Sequence, residues 1–132
     1  MCIFCKLANK EIPSSIVYEN EYVLAFLDLS QATMGHTLVI PKKHFDNIYG
    51  LDELYASEVF KAVVKVANDV KKAFNPIGVN ILNNNEKPLQ SVGHFHVHII
   101  PRYENDGLII EGKDNSNKYN LSELKDKISQ FI

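Results

Sequence analysis

Three histidines stand at alternate positions in one apolar stretch, His94-Phe95-His96-Val97-His98-Ile99-Ile100. Imidazole is the side chain best matched to chemistry near neutral pH. Its unperturbed pKa is about 6.5, so a neutral ring is available as a nucleophile or a base. It is also a common metal ligand. Side chains alternate between the faces of a strand. His94, His96 and His98 therefore share one face, while Phe95, Val97 and Ile99 share the other and can bury. Like-facing neighbours on a strand stand about 6.5 to 7 Å apart, which suits separate tasks in one site. A solvent-facing strand would rarely gather three of the chain's five histidines in this way. Spacing alone leaves two chemistries open: a nucleophile with supporting donors, or two strand histidines bound to a metal.

A second constellation is Cys2-x-x-Cys5, the only two cysteines in the chain. They are too close in sequence to staple a useful loop, so a disulfide is not expected. Their spacing is that of one half of a structural zinc site, which needs two further ligands from elsewhere. The other reading is a pair of small apolar side chains with free thiols.

The elements that must carry these groups can be read from pattern. Residues 2–9 form a short apolar segment able to make a helical turn, and residues 10–15 turn around Pro13. Residues 16–19 and 22–28 read as a hairpin broken at Asn20-Glu21, and residues 36–41 (HTLVIP) as a third strand. Between them, residues 29–35 are polar and turn-like. Residues 52–74 give the clearest helix, with Val59, Val63, Val66, Val70 and Phe74 on one apolar face and Pro76 as its stop. Valine is only a fair helix former, so packing must hold this helix. Residues 77–83 read as a fourth strand, 84–89 as a polar loop and 90–101 as a fifth strand bearing the histidines. A tail over 104–118 reads as irregular. Residues 121–132 read as a last helix, where Asn120 and Glu123 have capping-box spacing.

The 132 residues suit one domain over 1–132, with no repeat, linker or low-complexity tract. A chain of this length buries about two-thirds of its unfolded surface and needs no staples. Net charge is −2 and the pI about 6.2. This balance argues against binding nucleic acid by bulk charge. It leaves room for a small anionic ligand held by a few placed groups. No run approaches a membrane span, and the first residues lack signal-peptide order, so a reducing cytosol is expected.

These blocks together resemble the histidine triad (HIT) family, in particular its Hint-like bacterial branch. The likeness spans nearly the whole chain. It rests on the triad at 94–98, on Leu24-Ala-Phe-Leu-Asp28, on His36-Thr-Leu-Val-Ile-Pro-Lys-Lys-His44 and on the Gln90-Ser91-Val92 turn. The resemblance implies an α+β fold: a five-stranded antiparallel sheet with one long helix and short flanking helices. It implies a homodimer joined through the long helix and a strand. It also implies attack by His96 on the α-phosphorus of a purine nucleotide, through a covalent nucleotidyl-histidine that water releases. His94 supplies a main-chain carbonyl that sets the His96 tautomer.

Further roles follow from the same resemblance. His98, Ser91 and Asn83, with the Val92 amide, donate to phosphoryl oxygens, and Gln90 faces the leaving group. Asp28 holds the ribose hydroxyls. Ile3, Phe4, Leu7, Phe26 and Leu27 form the base pocket. Cys2, Cys5, His44 and His94 bind a structural zinc. His36 is left over and reads as a supporting group beside the site. Purine nucleoside phosphoramidates are the leading substrates. The rivals are dinucleoside polyphosphate hydrolysis and a nucleotide-binding scaffold with little turnover. The chain departs from the pattern at Leu89, where several relatives have glycine, at Leu27, where some carry histidine, and in the tail after Pro101.

Overall fold

The computed structural model describes residues 2–132. Its elements are α1 (Ile3–Ala8), β1 (Ile16–Glu19), β2 (Val23–Leu27), β3 (Thr37–Pro41), α2 (Glu53–Phe74), β4 (Gly78–Leu82), β5 (Val97–Arg102) and α3 (Leu121–Ser129). A 3-10 turn, Ile48–Gly50, precedes α2 and was not expected from the sequence. The five strands form one sheet in the order β1-β2-β3-β5-β4, antiparallel throughout. This is the expected α+β architecture.

Strand alternation gives the sheet two different faces. Val23, Ala25, Val39, Val97 and Ile99 point to one side and meet Val59, Ala62, Val63, Val66 and Val70 of α2. Leu24, Phe26, Leu38 and Ile40 point to the other and meet Phe4 and Leu7 of α1. Each valine, leucine, isoleucine or phenylalanine among them contributes roughly 1.5 to 3 kcal/mol by leaving water. The large core thus fixes the sheet against α2, and the smaller core lies on the face where chemistry is expected.

Helix α2 begins where Asp52 accepts the Tyr55 amide N–H at 2.9 Å. Glu53 lies in its first turn and Lys71 and Lys72 in its last, each matched to the helix dipole. Asn75 ends it in the left-handed region, φ 48°, and Pro76 follows. Phe74 was placed on the buried face but is 37% exposed, because the helix turns it to the rim beside Gly35. Gly35 has φ +94°, and a Cβ there would stand 2.8 Å from the Phe74 ring, so both backbone and space require glycine. Helix α3 is shorter than expected, ending at Ser129. Asn120 caps it by accepting the Glu123 amide N–H at 3.2 Å, one half of a capping box. Among the described residues, no helix is long and apolar enough to cross a membrane.

Candidate active site

The histidine strand is shorter than its pattern suggested. It was read as residues 90–101, yet β5 pairs only from Val97 onward, with Val39↔Val97 the first rung to β3. The segment before it leaves the ladder because its groups bond elsewhere. Phe95 donates its amide N–H to the Phe45 carbonyl at 2.7 Å. Alternation survives nonetheless. Phe95 is fully buried in the large core with Val97 and Ile99, so the three histidines stay on the opposite face. There they separate into different tasks.

His94 belongs to the cysteine cluster. Its Nε2–H donates to the Pro41 carbonyl at 2.9 Å, which leaves Nδ1 with a lone pair. That nitrogen lies 3.3 Å from Cys2 Sγ, 3.6 Å from Cys5 Sγ and 3.2 Å from His44 Nδ1. His44 Nδ1 lies 3.5 and 3.3 Å from the same sulfurs, which are 2.9 Å apart. A tetrahedral zinc with bonds of about 2.0 to 2.3 Å has ligand–ligand edges of about 3.3 to 3.8 Å. The five edges that include a nitrogen come close to this range, and the S···S edge is shorter. His44 Nε2–H donates to Asp46 at 2.8 Å, so its Nδ1 also turns to the centre. A carbonyl or carboxylate behind each ligating imidazole is the usual support of a metal-bound histidine. Burial, above all, pushes His94 down to about 4, which keeps its ring neutral. Asp46 draws His44 upward, making it a stronger donor to a cation. Two thiols and two oriented imidazoles fit zinc.

Helix α1 brings the cysteines here. Cys2 caps it, with Sγ accepting the Cys5 amide N–H at 3.1 Å. The same helix turns Phe4 and Leu7 toward the sheet.

His96 has a different surrounding. Its Nδ1–H donates to the His94 carbonyl at 2.8 Å, so Nε2 carries the free lone pair. The ring packs edge-on to Phe4 at 5.1 Å and lines a cavity of about 310 Å³. Burial lowers its pKa, partly offset by the His94 carbonyl and the charge of Asp28. A neutral ring with a lone pair turned to a cavity is a competent nucleophile.

The cavity joins most of the expected substrate residues. Ile3, Phe4, Leu7, Phe26 and Leu27 give it an apolar wall, and Asp28, Ser91, Val92, His96 and His98 also line it. Asp28 accepts the amide and hydroxyl hydrogens of Ser30 at 2.9 and 2.7 Å. Burial opposes its charge, but these donors and the nearby His36 and His98 outweigh it, and the net pKa is lowered. His36 is buried against His98, with its Nε2 2.9 Å from His98 Nδ1 and 3.6 Å from Asp28.

Two expected residues lie outside this lining. Gln90 is buried, donating to the Asp46 carbonyl at 2.7 Å and accepting the Glu86 amide at 2.9 Å. Asn83 donates to the His96 carbonyl at 2.8 Å and accepts from Asn85 at 2.6 Å. Both amides brace the loop before the triad. Conversely, Pro13, Ser14, Ser15, Leu29, Ser30 and Leu38 line the cavity without having been anticipated. Leu38 pairs with His98 across β3 and β5, so strand alternation could have found it. The serines carried only turn signals.

Comparison with known proteins agrees with this geometry. The HIT domain model matches residues 9–105. The chain is 52% identical to "Protein hit" of Bacillus subtilis over 126 residues, covering 94% of this chain and 87% of that protein. A crystal structure of a HIT-family member from Bacillus subtilis superposes with a TM-score of 0.95 at 47% identity, covering 99% and 96% of the two chains. The adenosine 5'-monophosphoramidase of Saccharomyces cerevisiae is 38% identical over 111 residues, 83% of this chain and 68% of that one. The match spans most of the sequence, and the triad and cysteine cluster have the geometry just described; the chain belongs to the HIT family.

Proposed function

We propose that the protein cleaves a P–N or P–O bond at the α-phosphate of a purine nucleotide, with His96 as nucleophile and nucleoside phosphoramidates as preferred substrates. One observation carries this reading. The His96 ring gives its Nδ1–H to the His94 carbonyl at 2.8 Å and lines the cavity, leaving Nε2 free for attack. In the first step the Nε2 lone pair forms a bond to phosphorus. The leaving group departs with its bond pair and takes a proton from solvent. Water then attacks phosphorus and gives up a proton to solvent, the N–P bond returns its electrons to His96, and a nucleoside monophosphate is released. His98, Ser91 and the Val92 amide provide donors to the phosphoryl oxygens, which gain charge during transfer. Asp28 accepts from the ribose, and Phe4, Leu7, Phe26 and Leu27 enclose the base. The name of the yeast relative supports the phosphoramidate class.

A zinc held by Cys2, Cys5, His44 and His94 completes the reading; four protein ligands close its coordination, so it supplies stability to the fold. A second copy of the chain belongs to it as well. Edge strand β4 exposes Ile81 and Leu82, and α2 exposes Phe60 and Val64, an apolar surface suited to pairing.

The test is a kinetic panel of adenosine and guanosine phosphoramidates against diadenosine polyphosphates, with acid-quench mass spectrometry. A nucleotidyl adduct on His96 is expected, fastest from phosphoramidates. His96→Ala should bind nucleoside monophosphate yet lose the adduct. Undiminished turnover in that variant rules out the assignment. Faster turnover of polyphosphates would move the substrate class.

A further inference from the structure

His36 lies outside the metal cluster and has no part in the steps above. Its surroundings nonetheless fix where its hydrogen must be. The Ala32 amide N–H donates to His36 Nδ1 at 3.1 Å, so that nitrogen is an acceptor. A neutral imidazole carries one hydrogen, which therefore sits on Nε2. Nε2 faces His98 Nδ1 at 2.9 Å, with the Asp28 carboxylate farther off at 3.6 Å. His98 Nδ1 must then accept, which sends the hydrogen of His98 to its own Nε2. The His98 ring lines the cavity beside His96, with ring centroids 5.0 Å apart.

We propose that His36 is a positioning residue: it passes the direction of the Ala32 amide to His98, so that His98 presents an Nε2–H donor to the phosphoryl group. The inference deepens the phosphotransfer reading and rests on it for the identity of that acceptor.

The loop that carries His36 is built for this. Gln31 donates from its amide to the Asp28 and His36 carbonyls, each at 2.7 Å, and accepts the Gly35 amide at 2.8 Å. These bonds hold the turn between β2 and β3 so that the Ala32 N–H meets the ring. His36 is 4% exposed, so solvent does not compete for either nitrogen. Burial lowers both His36 and His98, the latter to about 4, and one hydrogen per ring is the state at neutral pH.

The placement of ring hydrogens separates this cluster from the cysteine one. Asp28, His36 and His98 stand close enough together to suggest a metal site. The Ala32 amide opposes that, because it keeps a hydrogen on the nitrogen that would have to ligate. At His44 and His94 the backing acceptors do the reverse and leave both inner nitrogens bare.

The test reads the tautomer directly. Two-bond proton–nitrogen spectra of protein labelled with ¹⁵N-histidine distinguish Nε2–H from Nδ1–H rings. Wild-type His98 should show the hydrogen on Nε2. His36→Phe keeps an aromatic ring but removes the donor, and should leave His98 divided between tautomers. Its kcat on a phosphoramidate should fall roughly ten-fold, the worth of about one hydrogen bond, with KM little changed. His36→Gln, whose amide can still donate, should recover most of the loss. An Nδ1–H tautomer at His98 in the wild type overturns the proposal, whether or not the variants fold. Unchanged kcat in His36→Phe overturns the positioning role. If wild type turns over no phosphoramidate or polyphosphate, the phosphotransfer reading fails instead, and the spectra still decide the tautomer.

Discussion

One atom joins His94 to His96: the carbonyl oxygen of His94 takes the Nδ1–H of His96 at 2.8 Å, while the His94 ring turns away to Cys2, Cys5 and His44. The group that orients the His96 ring therefore sits on a residue of the cysteine cluster. Whatever steadies that cluster also steadies the His96 ring.

Metal content is the first consequence. Protein purified without added metal should hold about one zinc per chain, and Cys5→Ser should lose it and melt at a lower temperature. Structural zinc contributes on the order of 10 kcal/mol in small zinc domains. Asp46→Asn keeps all four ligands but weakens the bond behind His44, and should lower zinc affinity about 10- to 100-fold. Metal analysis and competition with a chromophoric chelator measure both. Full zinc in Cys5→Ser would remove this ligand set.

Stability should depend on pH through His98. Burial, then the neighbouring His96 and His36, hold its pKa at about 4 in the folded chain. In the unfolded chain the ring takes a proton at about 6.5. Between these values the unfolded state binds the extra proton, so stability falls as pH drops from about 6.5 towards 4. Melting at pH 7 and pH 5 should show a smaller loss in His98→Phe than in wild type. Equal losses would mean that the ring titrates normally.

Phe95 stands between the two histidines and is fully buried against α2. Phe95→Ala should cost about 3 to 5 kcal/mol, read from the urea midpoint. A cost below 1 kcal/mol would show that this segment is not held by the large core.

Gly35→Ala combines a left-handed backbone at φ +94° with a Cβ 2.8 Å from the Phe74 ring. About 1 to 3 kcal/mol of destabilisation is expected from calorimetry. The companion change Phe74→Ala should relieve the clash and leave only the backbone strain.

The fold was legible because its signals were periodic. Valines at helical spacing gave α2, and alternation gave the two faces of the histidine strand, whereas β2 and β3 are apolar on both faces and show no such rhythm. The limits of β5 were harder to read. Apolar residues 95, 97 and 99 keep one rhythm on either side of Val97, and only the partner of each amide shows where pairing begins. The cysteine cluster could be proposed because its half-motif is local, whereas its other two ligands arrive through tertiary contacts. The same reason hid Asp46 and the Pro41 carbonyl, whose roles depend on hydrogen bonds across the chain. Asn83 and Gln90 show the opposite limit. The family resemblance gave them contacts with substrate; in the structure their amides also bond the main chain, which only the folded chain shows.

The smaller core and the cavity share residues: Phe4, Leu7, Phe26 and Leu38 belong to both. A purine seated there would be, in packing terms, one more hydrophobic side chain, supplied from solution. Occupancy should then register as heat resistance, about 2.7 kcal/mol at a hundredfold excess over Kd. Base and sugar preference could be ranked by melting alone, with no bond ever broken.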